Sequence, residues 1–254
     1  MAIAGRPVAM IKEQAFLFPG QGEQAVGMGR DLCEAYPAAR YVFQEADAAL
    51  GRPLSRLMFE GPEDELSLTE NAQPALLTVS MAVVRVLEER LGTRLTEQAT
   101  FLAGHSVGEY TALTAAGSIA LADAVRLVHA RGRLVQEIVP RGKGRMCAVF
   151  GLSLDDARRA AFEAERDDEV CVVAADNAPH EQVFSGHTAA VDRATEAARA
   201  AGARAVVPLR ISAPFHCPLL APAAERLETL LEQTEILEAP IPVVANASAT
   251  PQRM

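Results

Sequence analysis

Apolar residues recur along this chain with two different periods, and the changes between them mark its elements. Residues 15–18 form a short apolar strand that runs into Pro19-Gly20-Gln21-Gly22, a tight turn with exposed backbone. Helical patterns cover 30–50 and stop at Gly51-Arg52-Pro53. From 71 to 91, Leu76, Val79, Val83, Val86 and Leu87 repeat at helical spacing and predict a buried helix. A second buried strand is expected at 101–103, and a further helix over 121–139.

Beyond residue 140 the pattern shortens. It reads as strand 146–150, helix 154–165, strand 170–174, strand 182–185, helix 189–201 and strand 204–208. This β-α-β-β-α-β order is the ferredoxin-like unit. Such a unit closes its own four-stranded sheet with both helices on one face. It is therefore expected as a small insertion, residues 142–209, in a large α/β domain built from 1–141 and 210–254. The returning segment predicts a helix over 221–237 and a last strand near 241–245. A binding cleft is expected between the two domains.

Composition narrows the function classes. Of 254 residues, half are hydrophobic and 22% charged, enough for a substantial core. The net charge is -9 and Lys and Arg are scattered, which argues against nucleic acid as a partner. An anionic ligand must then find a local positive pocket. Cys33, Cys147, Cys171 and Cys217 lie far apart with no C-x-x-C pair, so neither a metal site nor a disulfide framework is expected, and a reducing cytoplasm fits best. Arg6, Pro7, Lys12 and Glu13 interrupt the N-terminus before a secretory core forms, and no apolar run is long enough for a membrane span.

The chemistry concentrates in a few segments. Gly104-His105-Ser106-Val107-Gly108 has the G-x-S-x-G form and lies between a strand and an Ala-rich helix, the context of a nucleophile elbow. Ser106 would then stand at a helix N-terminus, with the N–H of Val107 as an oxyanion donor. The same five residues also suit a glycine-rich turn with an N-cap serine.

A serine needs a base, and five histidines compete. His105 adjoins the nucleophile and points away; His129 lies on the polar side of its helix; His180 and His187 belong to loops of the insertion. His216, in the rigid apolar turn Ser212-Ala213-Pro214-Phe215-His216-Cys217-Pro218, is the best candidate, a partly buried structural histidine being the alternative.

Leu127, Leu134 and Ile138 share a helical face with Arg131, which sets this arginine on an inward stripe, whereas Arg126, His129 and Arg133 face solvent. An inward arginine either holds the free carboxylate of a diacid acyl group or pairs with a protein Asp or Glu. Gly132 beside it allows close approach of backbone or substrate. The turn at Gly20-Gln21-Gly22 supplies a second oxyanion N–H from Gln21 if its strand lies beside the one leading to Ser106. Neither G-x-G-x-x-G nor a Walker lysine is present.

Taken in order, Phe18-Pro19-Gly20-Gln21-Gly22, Thr69-Glu70-Asn71-Ala72-Gln73-Pro74-Ala75, Gly104-His105-Ser106-Val107-Gly108-Glu109-Tyr110, Arg131-Gly132 with Gln136, Asn177-Ala178-Pro179 with Ser185-Gly186, and Phe215-His216 cover nearly the whole chain. This set resembles the malonyl-CoA:acyl carrier protein transacylases of fatty-acid and polyketide synthesis. The resemblance implies an α/β-hydrolase-like large domain with the ferredoxin-like insertion. It implies Ser106 as nucleophile, His216 as base, Gln21 and Val107 as oxyanion donors, and Arg131 as carboxylate clamp. Gln73, His105, Asn177 and Phe215 become further substrate contacts. In that family backbone carbonyls near the Asn177 segment, rather than an acid, orient the histidine.

The activity implied is malonyl-CoA:acyl carrier protein S-malonyltransferase, working by a ping-pong route through a Ser106 ester. Coenzyme A thioester is then a substrate, no cofactor is needed, and the partners are malonyl-CoA and an acyl carrier protein, met by a cytoplasmic monomer. Val107 and Phe215 match the pattern for unsubstituted malonyl. Val135 stands where the family often has Met, Glu181 where it often has Gln, and the sequence stops at Met254, before a terminal segment that in the family supplies a glutamine near the site. Arg141, Lys143 and Arg145 are candidates for docking an acidic carrier. The rivals are an acyl hydrolase or esterase, for which Ser106, Asp176 and His216 run in hydrolase order, an acyltransferase for a substituted malonyl unit, and a silent docking module in a synthase.

Overall fold

The computed structural model describes residues 14–211 and 213–253. Arg6, Pro7, Lys12 and Glu13, and Ser212 of the apolar turn, lie outside the described residues. Strand β1 (Ala15–Phe18) is followed by helices α1 (Arg30–Ala35), α2 (Pro37–Leu50), α3 (Leu54–Glu60), α4 (Glu63–Leu66), α5 (Thr69–Leu91) and α6 (Leu95–Gln98). Then come β2 (Phe101–Gly104), α7 (Val107–Ala116) and α8 (Leu121–Ile138). The shorter elements are β3 (Gly144–Phe150), α9 (Leu154–Ala164), β4 (Cys171–Ala178), β5 (Glu181–His187), α10 (Thr188–Ala200) and β6 (Ala205–Pro208). A 3-10 turn at Pro218–Leu220 leads to α11 (Ala221–Glu232), β7 (Val243–Ala245) and β8 (Thr250–Gln252).

Two four-stranded sheets organise these elements, in the orders β1-β2-β7-β8 and β4-β5-β3-β6. In the first, β1, β2 and β7 are parallel and β8 returns antiparallel. In the second, every pairing is antiparallel. The β-α-β-β-α-β order read from the pattern is the observed one.

Alternation along β3 explains why the second sheet is buried on both sides. Cys147 and Val149 face α9 and α10, in a core of alanines with Phe184 and Val191. Met146 and Ala148 face the other way, toward Leu134, Val135 and Phe215. This second face is what carries the site. The largest core lies between the first sheet and α2, α5, α7 and α8.

Several boundaries differ from the sequence pattern for identifiable reasons. Residues 30–50 split at Tyr36, whose extended backbone precedes Pro37, because a residue before proline is pushed out of the helical region. The helix expected to reach 237 ends at Glu232; Ile236 and Leu237 continue the apolar period but stay exposed, and Leu237 donates its N–H to Ser118. The strand at 101–103 is buried on one face only. Phe101 is 37% exposed, and on the paired edge strand Leu17 is 76% exposed. Among the described residues, no helix is long and apolar enough to cross a membrane.

Candidate active site

Ser106 sits between β2 and α7 with φ 53 and ψ -111, a backbone conformation that costs energy and persists only where its surroundings enforce it. Glycine makes the bend possible: a Cβ on Gly104 would lie 1.9 Å from the Gly108 carbonyl across the turn, and one on Gly108 would lie 2.4 Å from the carbonyl oxygen of Phe18. The parallel register pairs Phe18 with Gly104, so the turn after β1 lies beside the elbow. That meets the condition under which Gln21 serves as an oxyanion donor. Among the described residues the N–H groups of Gln21 and Val107 have no partner, and that of Val107 opens the first turn of α7, where the helix dipole favours negative charge.

Asn246, which the sequence pattern did not single out, fixes the elbow from behind. Its Oδ1 accepts the N–H of Ser106 at 2.7 Å, and its Nδ2 donates to the carbonyl of Gly104 at 2.7 Å. Its own N–H donates to Glu109 Oε2 at 3.2 Å. Burial raises the pKa of the Glu109 carboxyl, and the hydrogen bond from Asn246 opposes the rise.

His216 Nε2 lies 2.8 Å from Ser106 Oγ. The residue has φ 57, so both members of the pair sit in the left-handed region. Although His216 borders the open cleft, desolvation by the surrounding walls, then the charge of Arg131 and then His105, lower its pKa to about 4. It is therefore neutral near pH 7 and able to accept a proton. Among the described residues no carboxylate supports it: Asp176 Oδ1 accepts from Gln182 Nε2 at 2.9 Å instead. The expected carbonyl from the Asn177 segment does not reach it either; among the described residues its hydrogen bond is to Ser106 alone.

Arg131 is on the inward stripe, with Leu127 and Leu134 buried beside it. Its Nη1 donates to Gln73 Oε1 at 2.6 Å, and its guanidinium carbon lies 5.1 Å from the Phe215 ring centroid and 5.9 Å from that of Tyr110. Burial lowers its pKa, and Tyr110 opposes that shift. Among the described residues no carboxylate pairs with Arg131. The protein ion pair, one of the two readings of an inward arginine, is absent there. Gly132 serves the backbone: a Cβ there would lie 2.6 Å from the Thr69 carbonyl oxygen, so α8 packs directly on the first turn of α5.

That packing also explains His129, which is half-buried rather than solvent-facing. Pro74 has no N–H to offer the carbonyl of Glu70, four residues earlier in α5. His129 Nδ1 donates to that carbonyl at 2.8 Å in its place. His187 accepts the N–H of Val170, and His180 donates to the Leu152 carbonyl, so both are structural.

The remaining candidates surround the Ser106–His216 pair. A hollow of 260 Å³ is lined by Gln21, His105, Ser106, Asn177, Phe215 and His216 among others. A second, of 440 Å³, joins Arg131 and Val135 to Phe215 and His216. His105 Nε2 lies 3.3 Å from Asn177 Oδ1, and Asn177 Nδ2 donates to Glu181 Oε1 at 3.3 Å. Of the basic residues at the entry to the second sheet, Arg145 lies in β3 and is engaged by Asp192.

The acyl transferase domain family matches residues 15–253. The chain belongs to this family. As an acyl transferase domain it is 46% identical over 233 residues to the malonyl CoA-acyl carrier protein transacylase of Escherichia coli (strain K12), covering 91% of this chain and 74% of that protein. It is 44% identical over 235 residues to the protein of the same name from Bacillus subtilis (strain 168), covering 92% and 73%. Among solved structures, the acyl-carrier-protein-S-malonyltransferase from Bartonella henselae matches with TM-score 0.89 at 44% identity, over 94% of this chain and 76% of that one. A type II PKS acyl-carrier protein in complex with its malonyl-transacylase matches with TM-score 0.90 at 41% identity, over 96% and 77%. This acyl transferase domain thus spans about three quarters of the length of these relatives.

Proposed function

We propose that this acyl transferase domain is a malonyl-CoA:acyl carrier protein S-malonyltransferase serving fatty-acid or polyketide synthesis. One conjunction carries the reading. A serine within 2.8 Å of a neutral histidine stands beside a half-buried guanidinium that no described protein carboxylate neutralises. The names of the relatives agree with it.

The chemistry follows from the groups in place. His216 takes the hydroxyl proton as Ser106 Oγ attacks the thioester carbonyl, and the N–H groups of Gln21 and Val107 receive the oxyanion. The C–S bond then breaks, and the coenzyme A sulfur leaves with the proton from His216. In the second half the carrier's phosphopantetheine thiol gives its proton to His216 and attacks the ester carbonyl. Ser106 recovers that proton when the ester bond breaks.

Arg131 holds the malonyl carboxylate through its planar fork, with Phe215 flanking it. A thioester is already activated, so the serine-histidine pair suffices without an acid. The thioester supplies electrophile and leaving group, so the reaction needs no cofactor.

The same reading extends to the architecture. The described parts of 1–141 and 210–254 form an α/β-hydrolase-like domain and 142–209 a ferredoxin-like insertion, supported by the strand order β4-β5-β3-β6 and by helices on one face. The expected state is a monomer, and four free thiols suit a cytoplasmic setting. Incubating the protein with malonyl-CoA and a holo carrier protein tests the reading: malonyl-carrier should accumulate with wild type and not with Ser106→Ala. Carrier that stays unmodified with wild type would refute it.

A further inference from the structure

Arg131 and Gln21 line different hollows of the site, yet an unbroken hydrogen-bonded chain joins them. Arg131 Nη1 donates to Gln73 Oε1 at 2.6 Å, Gln73 Nε2 donates to Thr69 Oγ1 at 2.9 Å, and Thr69 Oγ1 donates to Gln21 Oε1 at 2.8 Å. Thr69 and Gln73 are four residues apart in the first turns of α5, so they share a face, and both are fully buried. Gly132 brings α8 close enough for Arg131 to meet them.

The direction of this chain is not arbitrary. A guanidinium only donates, so it turns the oxygen of the Gln73 amide toward itself and the nitrogen toward Thr69. Thr69 Oγ1 accepts that N–H, and its single proton is left to point at Gln21. The amide nitrogen of Gln21 is buried with no partner, so among the described residues Thr69 alone anchors this side chain.

We propose that Thr69 is a positioning residue that couples the carboxylate clamp at Arg131 to the oxyanion loop at Gln21 through Gln73. The coupling rests on the transferase reading above. It means that the charge selecting a malonyl group also sets the orientation of the side chain next to the oxyanion N–H. Thr69 touches neither substrate nor reacting atoms; it acts through Gln21.

Thr69→Val keeps the shape and removes the hydroxyl, whereas Thr69→Ser keeps the hydroxyl. Ser106 acylation is followed with malonyl-CoA and, separately, acetyl-CoA, which has no carboxylate for Arg131. Thr69→Val should lower kcat about tenfold with both thioesters at little change in KM, the scale of one hydrogen bond, and Thr69→Ser should restore it. With acetyl-CoA, Thr69→Val/Arg131→Ala should be no slower than the slower single variant.

Should Thr69→Val fail to fold, Gln21→Met, which keeps the backbone N–H and removes the side-chain acceptor, should show the same kcat loss. Wild-type kcat in Thr69→Val, or in Gln21→Met where that is the variant that folds, would overturn the coupling, as would fully additive losses in the double variant. Absence of any wild-type acylation would instead refute the transferase reading itself.

Discussion

Asn246 Oδ1 accepts the N–H of Ser106 at 2.7 Å across 140 residues of chain, and the same amide donates to Gly104 at 2.7 Å. The strained turn is thus gripped on both sides of Ser106 by one side chain just after β7. A φ of 53 at a serine is sustained here by tertiary contacts rather than by local preference.

Asn246→Ala should therefore release the elbow. Misplacing a nucleophile by about 1 Å costs on the order of a hundredfold in rate, and losing these bonds costs about 1–3 kcal/mol of stability. Acylation kinetics and thermal melting check the two effects. A variant that melts lower but acylates at the wild-type rate would show that Asn246 only braces the fold.

Arg131→Ala should lower kcat/KM for malonyl-CoA about tenfold to a hundredfold, the scale of a charged hydrogen bond, and so erase the preference over acetyl-CoA. Arg131→Lys should not restore it, because an ammonium lacks the planar fork. Parallel assays with the two thioesters decide the matter, and an undiminished malonyl preference in Arg131→Ala contradicts the clamp.

The pH profile follows from His216. As the proposed base it works only when neutral, and its pKa is lowered from 6.5 to about 4, so activity should persist as pH falls below 6.5 and drop near pH 4. Burial is the main cause and Arg131 the next, so Arg131→Ala should move the acid limb part of the way back up. An acid limb at 6.5 in wild type would contradict this environment for the imidazole.

Asp176→Asn should change turnover little, because Asp176 is bonded to Gln182 and not to His216. Replacing the acid of a true triad costs about ten thousandfold in kcat. A loss of that size would restore the hydrolase-type arrangement, and steady-state rates are sufficient to distinguish the two.

Much of this was legible in the sequence because periodicity reports which side of an element is buried. Leu127, Leu134 and Ile138 placed Arg131 inward, and alternation through 146–208 exposed the second sheet. Ser106 was legible as a form of turn, and His216 by its place in an apolar bend.

What stayed hidden depends on pairing at long range. Asn246 reads as an ordinary polar residue after a short strand, and nothing local tells that its amide spans the elbow. Thr69 lies two residues before the helix expected from 71, whereas the structure starts α5 at Thr69; only its position four residues before Gln73 hints at a shared face. Strand β8 contains Pro251 and no apolar alternation, so its pairing with β7 leaves no signal in the pattern. The exchange at Glu70, where His129 replaces the N–H that Pro74 lacks, requires two helices to be seen together.

The central claim is that Ser106 carries the acyl group on its way to the carrier. Intact-protein and peptide mass spectrometry after mixing with malonyl-CoA, without any carrier, tests it most directly. One malonyl group should appear on the peptide containing Ser106, fail to appear in Ser106→Ala, and form far more slowly in His216→Ala. A wild-type protein that stays unmodified, or that carries the group on another residue, would contradict the account.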